Sequence, residues 1–152
     1  MEETNALFKE SFNKELSEVF DKFEEIPMAS GSIGQVYRAS IDGEDFVVKV
    51  RHPGVKEMID KDLSILFGTS KMISKIPYLR RFEFPATVDE FKKVLYEQTD
   101  LVKESNNLVK FTKTFKKFED QVIFPQVKES YVSESVLVES FIDAKPISFY
   151  ME

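Results

Sequence analysis

The apolar positions at the start of the chain predict a helix followed by a β-hairpin. Over about residues 5–24 they repeat at helical spacing, which indicates one amphipathic helix that Pro27 stops. The apolar residues of this stretch are Phe8, Phe12, Leu16, Val19, Phe20 and Phe23. Two runs of β-branched and aromatic residues then flank an Asp-Gly pair at position 42, a strong hairpin signal. We therefore expect antiparallel strands near residues 34–41 and 44–51.

Helical spacing returns after the next Pro-Gly turn and predicts two further helices. The first begins near Val55 and ends before Pro77. The second is one long helix that has Thr87 as its N-cap and continues to about residue 116. The segments QVIFPQV and SESVLVESF then predict two short strands.

This order of elements predicts an α+β fold with a small antiparallel sheet. The 152 residues suit one domain that covers residues 1–152 without a separate linker. Hydrophobic residues make up 42% and charged residues 32% of the chain, a balance typical of a globular rather than a disordered protein. The 15 phenylalanines and the absence of tryptophan predict a core built from phenylalanine side chains.

Charge and composition exclude several kinds of site. The net charge of −6 argues against a nucleic-acid surface, which needs a basic face. The chain has no cysteine, and its one histidine is His52, so thiolate sites, histidine metal clusters and a catalytic triad are excluded. No apolar run reaches the roughly 18 residues of a membrane span. The acidic N-terminus is unlike a secretory signal or an Arg-rich transit peptide.

The stretch MASGSIGQVYRA, residues 28–39, raises the question of a phosphate-binding loop. Its small residues are Ala29, Ser30, Gly31 and Ser32, with Gly34 shortly after them. Glycine lets a chain approach a ligand closely. However, the stretch lacks the Gly-Lys-Ser/Thr end of a P-loop and the G-x-G-x-x-G pattern. Taken alone, it is more typical of a tight turn into a strand.

Lys49 changes this interpretation because it lies inside the apolar strand FVVKV. By alternation its side chain shares a face with Val47 and Arg51. One interpretation is a surface lysine on an edge strand, which is common. The other is the strand lysine that pairs with nucleotide phosphates and with a glutamate of a helix.

The predicted long helix offers three acidic candidates, Glu97, Asp100 and Glu104. Their spacing places them along one side, with Glu97 and Glu104 at the border of the apolar stripe and Asp100 further round. A glutamate at that border can reach a lysine of the sheet. A solvated charged flank is the more common arrangement, so the spacing leaves both interpretations open.

Four segments occur in an order that is typical of one family. They are PMASGSIGQVYRA, DFVVKVRHPGV, QTDLVKESNNLVKF and VLVESF. In that order they resemble the Ala-rich loop, the lysine strand, the helix with the ExD motif, and the strand before the hinge of the UbiB family. This family, also called ABC1 or ADCK, comprises atypical protein-kinase-like proteins linked to coenzyme Q biosynthesis. Each segment alone is weak, but the ordered set is specific and spans about residues 8–150.

The resemblance implies roles around the lysine of the strand. Lys49 would position nucleotide phosphates, and Glu104 would be its partner on the helix. Asp100 would be the aspartate of the ExD motif, whose glutamate is replaced here by Gln98.

The resemblance also implies a loop and a hinge that bind the nucleotide. Residues Ala29–Ser32 would cover it, with ASGS where many family members have an all-alanine run. Residues 139–142, which include Glu139 and Phe141, would form the hinge whose backbone meets adenine.

As a whole, the resemblance implies a kinase-like N-lobe with a long αC-type helix and no C-lobe. The family's KxGQ motif, HxD catalytic loop and DFG-like aspartate are missing, so we expect neither catalytic residues nor metal ligands. We expect ATP, as Mg-ATP, or ADP to bind, and no catalysis by this chain alone. The family suggests mitochondria, plastids or bacteria as the location.

Two other interpretations remain open. The first is a non-enzymatic interaction module that pairs with a separate C-lobe-bearing protein or competes with an intact homologue. The second is an unrelated α+β domain whose resemblance is accidental.

Overall fold

The computed structural model describes residues 1–145 and 147–150, so Pro146, Met151 and Glu152 of the predicted domain lie outside the described residues. The helices are α1 (Glu2–Phe12), α2 (Leu16–Val19), α3 (Val55–Ile73), α4 (Phe84–Gln98) and α5 (Leu101–Thr114). The strands are β1 (Lys22–Phe23), β2 (Ala29–Ser30), β3 (Gly34–Ile41), β4 (Glu44–Arg51), β5 (Val127–Val132) and β6 (Val136–Ser140). Short 3₁₀ helices cover Arg80–Phe82, Lys116–Phe118 and Ile147–Tyr150.

The strands form one antiparallel sheet in the order β1-β3-β4-β6-β5, and β2 pairs with β3 outside this path. The hairpin of β3 and β4 has the predicted bounds. Its turn residues Asp42 and Gly43 have φ angles of 53° and 80°, the left-handed values that a tight hairpin turn requires. The predicted α+β fold with a small antiparallel sheet is therefore confirmed.

The hydrophobic core lies between one face of the sheet and the two N-terminal helices. Phe8 of α1 is fully buried, and its ring centroid lies 5.5 Å from that of Phe20. The sheet residues of this core are Tyr37, Ala39, Phe46, Val48, Val50, Val136 and Val138. Because side chains alternate along a strand, the opposite face of β4 carries Val47, Lys49 and Arg51.

The single helix predicted over residues 5–24 is wrong. Helix α1 ends because Asn13 adopts a left-handed conformation, with φ at 55°, and its N–H donates to the Lys9 carbonyl. A separate short helix, α2, then begins at a capping box formed by Glu15 and Glu18. The last part of the predicted helix is strand β1.

The single long helix predicted from Thr87 to about residue 116 is also wrong. Helix α4 begins at Phe84, three residues before the predicted N-cap, and has a proline in its first turn. The chain leaves the helical path at Thr99 and Asp100 before α5 begins. Thr99 is fully buried at this break, and its hydroxyl donates to the Tyr96 carbonyl.

The remaining predictions are confirmed for two elements and wrong for one. Helix α3 occupies the predicted stretch, and β6 lies within SESVLVESF. The segment QVIFPQV is not a strand, because β5 begins only at its last residue, Val127. Within residues 1–145 and 147–150, no helix is both long and apolar enough to cross a membrane.

Two glycines of the loop region differ in the room that they leave for a side chain. A Cβ on Gly34 would lie 2.5 Å from the Val50 carbonyl oxygen, whereas the nearest atom to a Cβ on Gly31 would be 3.9 Å away. We expect Gly34→Ala to lower the free energy of unfolding by about 1–3 kcal/mol, as overpacking does. The matched change Gly31→Ala should alter it by less than about 0.5 kcal/mol. Urea unfolding checks both values, and equal costs would contradict the close approach at Gly34.

Candidate functional site

Lys49 lies in the interior of the sheet. Its strand, β4, pairs with β3 on one side and with β6 on the other, and Lys49 lies opposite Leu137. The interpretation as a lysine on an edge strand is therefore wrong. The Lys49 side chain is 25% exposed, so part of its positive charge is removed from water and requires a partner.

Two carboxylates share the Lys49 ammonium. Its Nζ lies 2.5 Å from Oε1 of Glu104, in the first turn of α5, and 3.0 Å from Oε1 of Glu139 on β6. Glu104 is 55 residues distant in sequence, so this ion pair joins the sheet to α5. The Glu139 side chain is only 6% exposed, and its Oε2 has no hydrogen-bond partner among the described residues.

Burial and charge act in opposite directions on these groups. Burial works to lower the pKa of Lys49, but the hydrogen bond to Glu104 and the charge of Glu139 outweigh it, so that pKa is raised above 10.5. Burial raises the pKa of Glu139 above its ordinary value of 4.5, and the nearby positive charge of Lys49 offsets only part of this effect. The positive charge of Lys49 thus offsets only part of the cost of burying ionised Glu139.

The loop of residues 29–32 is fixed over one end of this arrangement. Its first two residues form β2, and Gly31 N donates to the Gly34 carbonyl over 2.9 Å. His52, in the turn after β4, donates its main-chain N–H to Ile33 O over 2.8 Å. The His52 Nε2 also lies 3.1 Å from Gly31 O. The β3–β4 register pairs Gly34 with Arg51 and so brings His52 next to Ile33, but no residue pattern in the sequence indicated the contact of the His52 ring with Gly31.

A cavity of about 340 Å³ lies between this loop, Lys49 and the start of α5. Its lining includes Gly31, Ser32, Lys49, Gln98 and Glu104. Its volume falls within the range that small-molecule sites occupy. A wider groove of about 810 Å³ along α4 and α5 also contains Glu104, but Lys49 does not line it. The smaller cavity is therefore the one that combines the loop with the lysine.

Asp100 does not lie on one side of a helix with Glu97 and Glu104, contrary to the prediction. It is the N-cap of α5, and its Oδ1 accepts a hydrogen bond from Val102 N over 3.0 Å. Glu97 lies in α4 and pairs with Lys103 over 3.3 Å. The structure therefore brings only Glu104 of the three acids to Lys49.

Arg51 is an organising residue that the motifs did not identify. It lies two residues after Lys49 on the same face of β4, and its Nη1 donates to Thr99 O over 2.8 Å and to Glu134 O over 3.1 Å. Its Nη2 donates to the Ser135 hydroxyl. These contacts hold the α4–α5 break against the sheet. Alternation along β4 was the available signal, since it placed Arg51 beside Lys49.

The first two residues of the predicted hinge, 139 and 140, belong to strand β6. Glu139 lies inside β6, opposite Val47, with its side chain directed at Lys49. Phe141 follows the strand, and its N–H already donates to Asp45 O over 3.0 Å. Its ring lies 4.3 Å from the Arg38 guanidinium carbon. The nucleotide-binding roles of all these residues stay predictions.

A family model described as the ABC1 atypical kinase-like domain matches residues 1–151. The chain is 40% identical over 151 residues to "Probable serine/threonine-protein kinase abkC" of Dictyostelium discoideum, covering 98% of this chain and 22% of that protein. It is 35% identical over 132 residues to "Probable protein kinase UbiB" of Blochmanniella pennsylvanica, covering 84% of this chain and 24% of that protein. It is 31% identical over 140 residues to "Protein ACTIVITY OF BC1 COMPLEX KINASE 8, chloroplastic" of Arabidopsis thaliana, covering 90% of this chain and 18% of that protein.

The fold also matches a solved structure, the Rv3197–erythromycin complex from Mycobacterium tuberculosis. The TM-score is 0.72 over 97% of this chain and 37% of that chain, at 24% sequence identity. The likeness shows a shared fold. The chain spans about a quarter or less of the curated relatives named above. An accidental resemblance is excluded by the family match.

The raised pKa of Glu139 makes stability depend on pH. Folding favours the protonated form of Glu139. Its favourable contribution to the free energy of unfolding is therefore complete below pH 4.5 and is lost as the pH rises through the raised pKa. The charged groups that face it are Lys49 and Glu104. We expect the free energy of unfolding of Glu139→Gln to rise relative to that of the wild type between about pH 4 and pH 7.

Urea unfolding at several pH values measures this difference. Glu90→Gln is the matched control, because Glu90 forms an exposed pair with Lys93 on α4 and should differ from the wild type by less than about 0.5 kcal/mol throughout. If the free energy of unfolding of Glu139→Gln instead fell relative to that of the wild type as the pH rises, Lys49 would compensate the charge of Glu139 fully, contrary to this account.

Proposed function

The chain belongs to the ABC1 atypical kinase-like family, and we propose that its residues bind the phosphates of ATP or ADP at Lys49, beneath the loop of residues 29–32. The observation that carries the proposal is the ion pair between Lys49 in the sheet and Glu104 in α5, beside the cavity. In kinases, a strand lysine paired with a helix glutamate positions nucleotide phosphates.

The described residues fit a polyphosphate in three respects. Lys49 supplies a cation that lines the cavity, and Glu104 holds that cation through an ion pair from a side chain that is itself 42% exposed. The loop presents small side chains and Gly31, which leaves room for phosphate oxygens. Electrostatic positioning of phosphates requires little more from this half of a kinase-like site.

We also propose that these residues do not turn the nucleotide over on their own. Phosphoryl transfer needs a carboxylate base and metal ligands in addition to the lysine. Among residues 1–145 and 147–150, no group of three histidine, aspartate or glutamate side chains could hold a metal ion. The one histidine of the chain, His52, contacts the main-chain carbonyl oxygen of Gly31 through its Nε2.

A second candidate function is pairing with another protein. Ile147, Phe149 and Tyr150 are 77%, 58% and 72% exposed, and together they form an apolar segment. Exposed apolar clusters mark protein contacts. A protein partner that presents an apolar surface would suit this segment.

Isothermal titration with Mg-ATP and Mg-ADP tests the first proposal. We expect Lys49→Met to weaken binding about tenfold or more, because it removes the cation that faces the phosphates. Lys56→Met is the matched control, since Lys56 pairs with Glu134 and does not line the cavity, and it should bind like the wild type.

Equal affinity of wild type and Lys49→Met would remove Lys49 from the site. No binding by any variant would leave the interaction module as the better account. A coupled ATPase assay on the same samples should show no turnover, and Lys49-dependent hydrolysis would contradict that part of the proposal.

A further inference from the structure

Glu139 is a buried carboxylate that the proposed nucleotide site does not require. Its side chain is 6% exposed, one oxygen contacts Lys49, and the other has no partner among the described residues. Buried polar atoms are almost always paired, so this exception needs an explanation. Lys49 lines the cavity, whereas Glu139 is not among the lining residues and reaches the cavity only through its contact with Lys49.

The ion-paired group at Lys49 has one cation for two carboxylates. Lys49 contributes +1, while Glu104 and Glu139 contribute −1 each, so these three groups carry −1 when all are ionised. Arg51 also lines the cavity, but its guanidinium donates to the carbonyls of Thr99 and Glu134 and to the Ser135 hydroxyl. A phosphate that enters the cavity therefore meets a cation that is already shared by two anions. The two carboxylates therefore oppose the transfer of this ammonium to a phosphate.

The two carboxylates differ in how freely their side chains can move away from Lys49. Glu104 is 42% exposed in the first turn of α5 and can turn toward water. Glu139 lies in β6 directly after the fully buried Leu137 and Val138, and its side chain is only 6% exposed, so it has little freedom to turn toward water. If Lys49 turned toward a phosphate, it would leave a buried carboxylate without its cation, which is costly.

We propose that Glu139 competes with the ligand's phosphates for Lys49 and so limits how strongly the site binds anionic nucleotides. This inference rests on the proposed nucleotide binding and deepens it. Glu139 acts through Lys49, so it is a positioning residue. Its effect depends on the charge of the ligand, because the competition is between anions for one cation.

Glu139→Gln separates this competition from a structural role. The substitution keeps the shape of the side chain and removes its charge. By isothermal titration, we expect Mg-ATP and Mg-ADP to bind roughly tenfold more tightly to Glu139→Gln than to the wild type. Adenosine, which carries no phosphate, should bind the two proteins within about twofold of each other. Glu90→Gln, with the same charge change far from the cavity, should match the wild type for all three ligands.

Glu139→Met provides a second variant, because an apolar side chain of similar size also removes the competing charge. We expect it to tighten nucleotide binding as Glu139→Gln does, and circular dichroism verifies that both variants are folded. Unchanged or weaker nucleotide binding by both variants would overturn the inference while leaving the proposed function intact. An equal gain for adenosine would overturn it too, because charge would then not be the cause. If neither the wild type nor any variant binds nucleotide, the proposed function itself fails.

Discussion

The site depends on one positive charge held inside the sheet. Lys49 lies in the middle of β4, where a lysine is stable only with carboxylates close by. Glu104 approaches it from α5, and Glu139 approaches it from β6, so this ammonium joins three elements that are distant in sequence. The same charge therefore contacts α5, lines the cavity beneath the loop and pairs with a buried carboxylate.

Arg51 extends the same principle along the strand. Lys49 binds side-chain carboxylates, whereas Arg51 binds the main-chain carbonyls of Thr99 and Glu134 at the break between two helices. Because α5 starts anew at Asp100, Glu104 lies in its first turn, where the helix dipole favours a negative side chain. Two cations on one face of β4 thus place the helix and the acid that it carries.

The sequence predicted those parts of the fold whose causes are local. The β3–β4 hairpin follows from β-branched runs and an Asp-Gly turn, and α3 follows from helical spacing. The break at Thr99 escaped prediction because the apolar spacing continues across it and the contact that fixes it comes from Arg51. The side chain of Glu139 escaped because its direction depends on the pairing of β4 with β6. The Lys49–Glu104 contact was reached through the resemblance, since spacing alone left a solvated flank open.

A double-mutant cycle on Lys49 and Glu104 tests the central claim, that this ion pair joins the sheet to α5. Urea unfolding of Lys49→Met, Glu104→Gln and the double variant gives the coupling free energy. We predict a favourable coupling of about 1 kcal/mol or more, as for a partly buried pair. A parallel cycle of Lys49 with Glu97, which pairs with Lys103 instead, should give a coupling below about 0.5 kcal/mol. A Lys49–Glu104 coupling as small as that of the control would contradict the account.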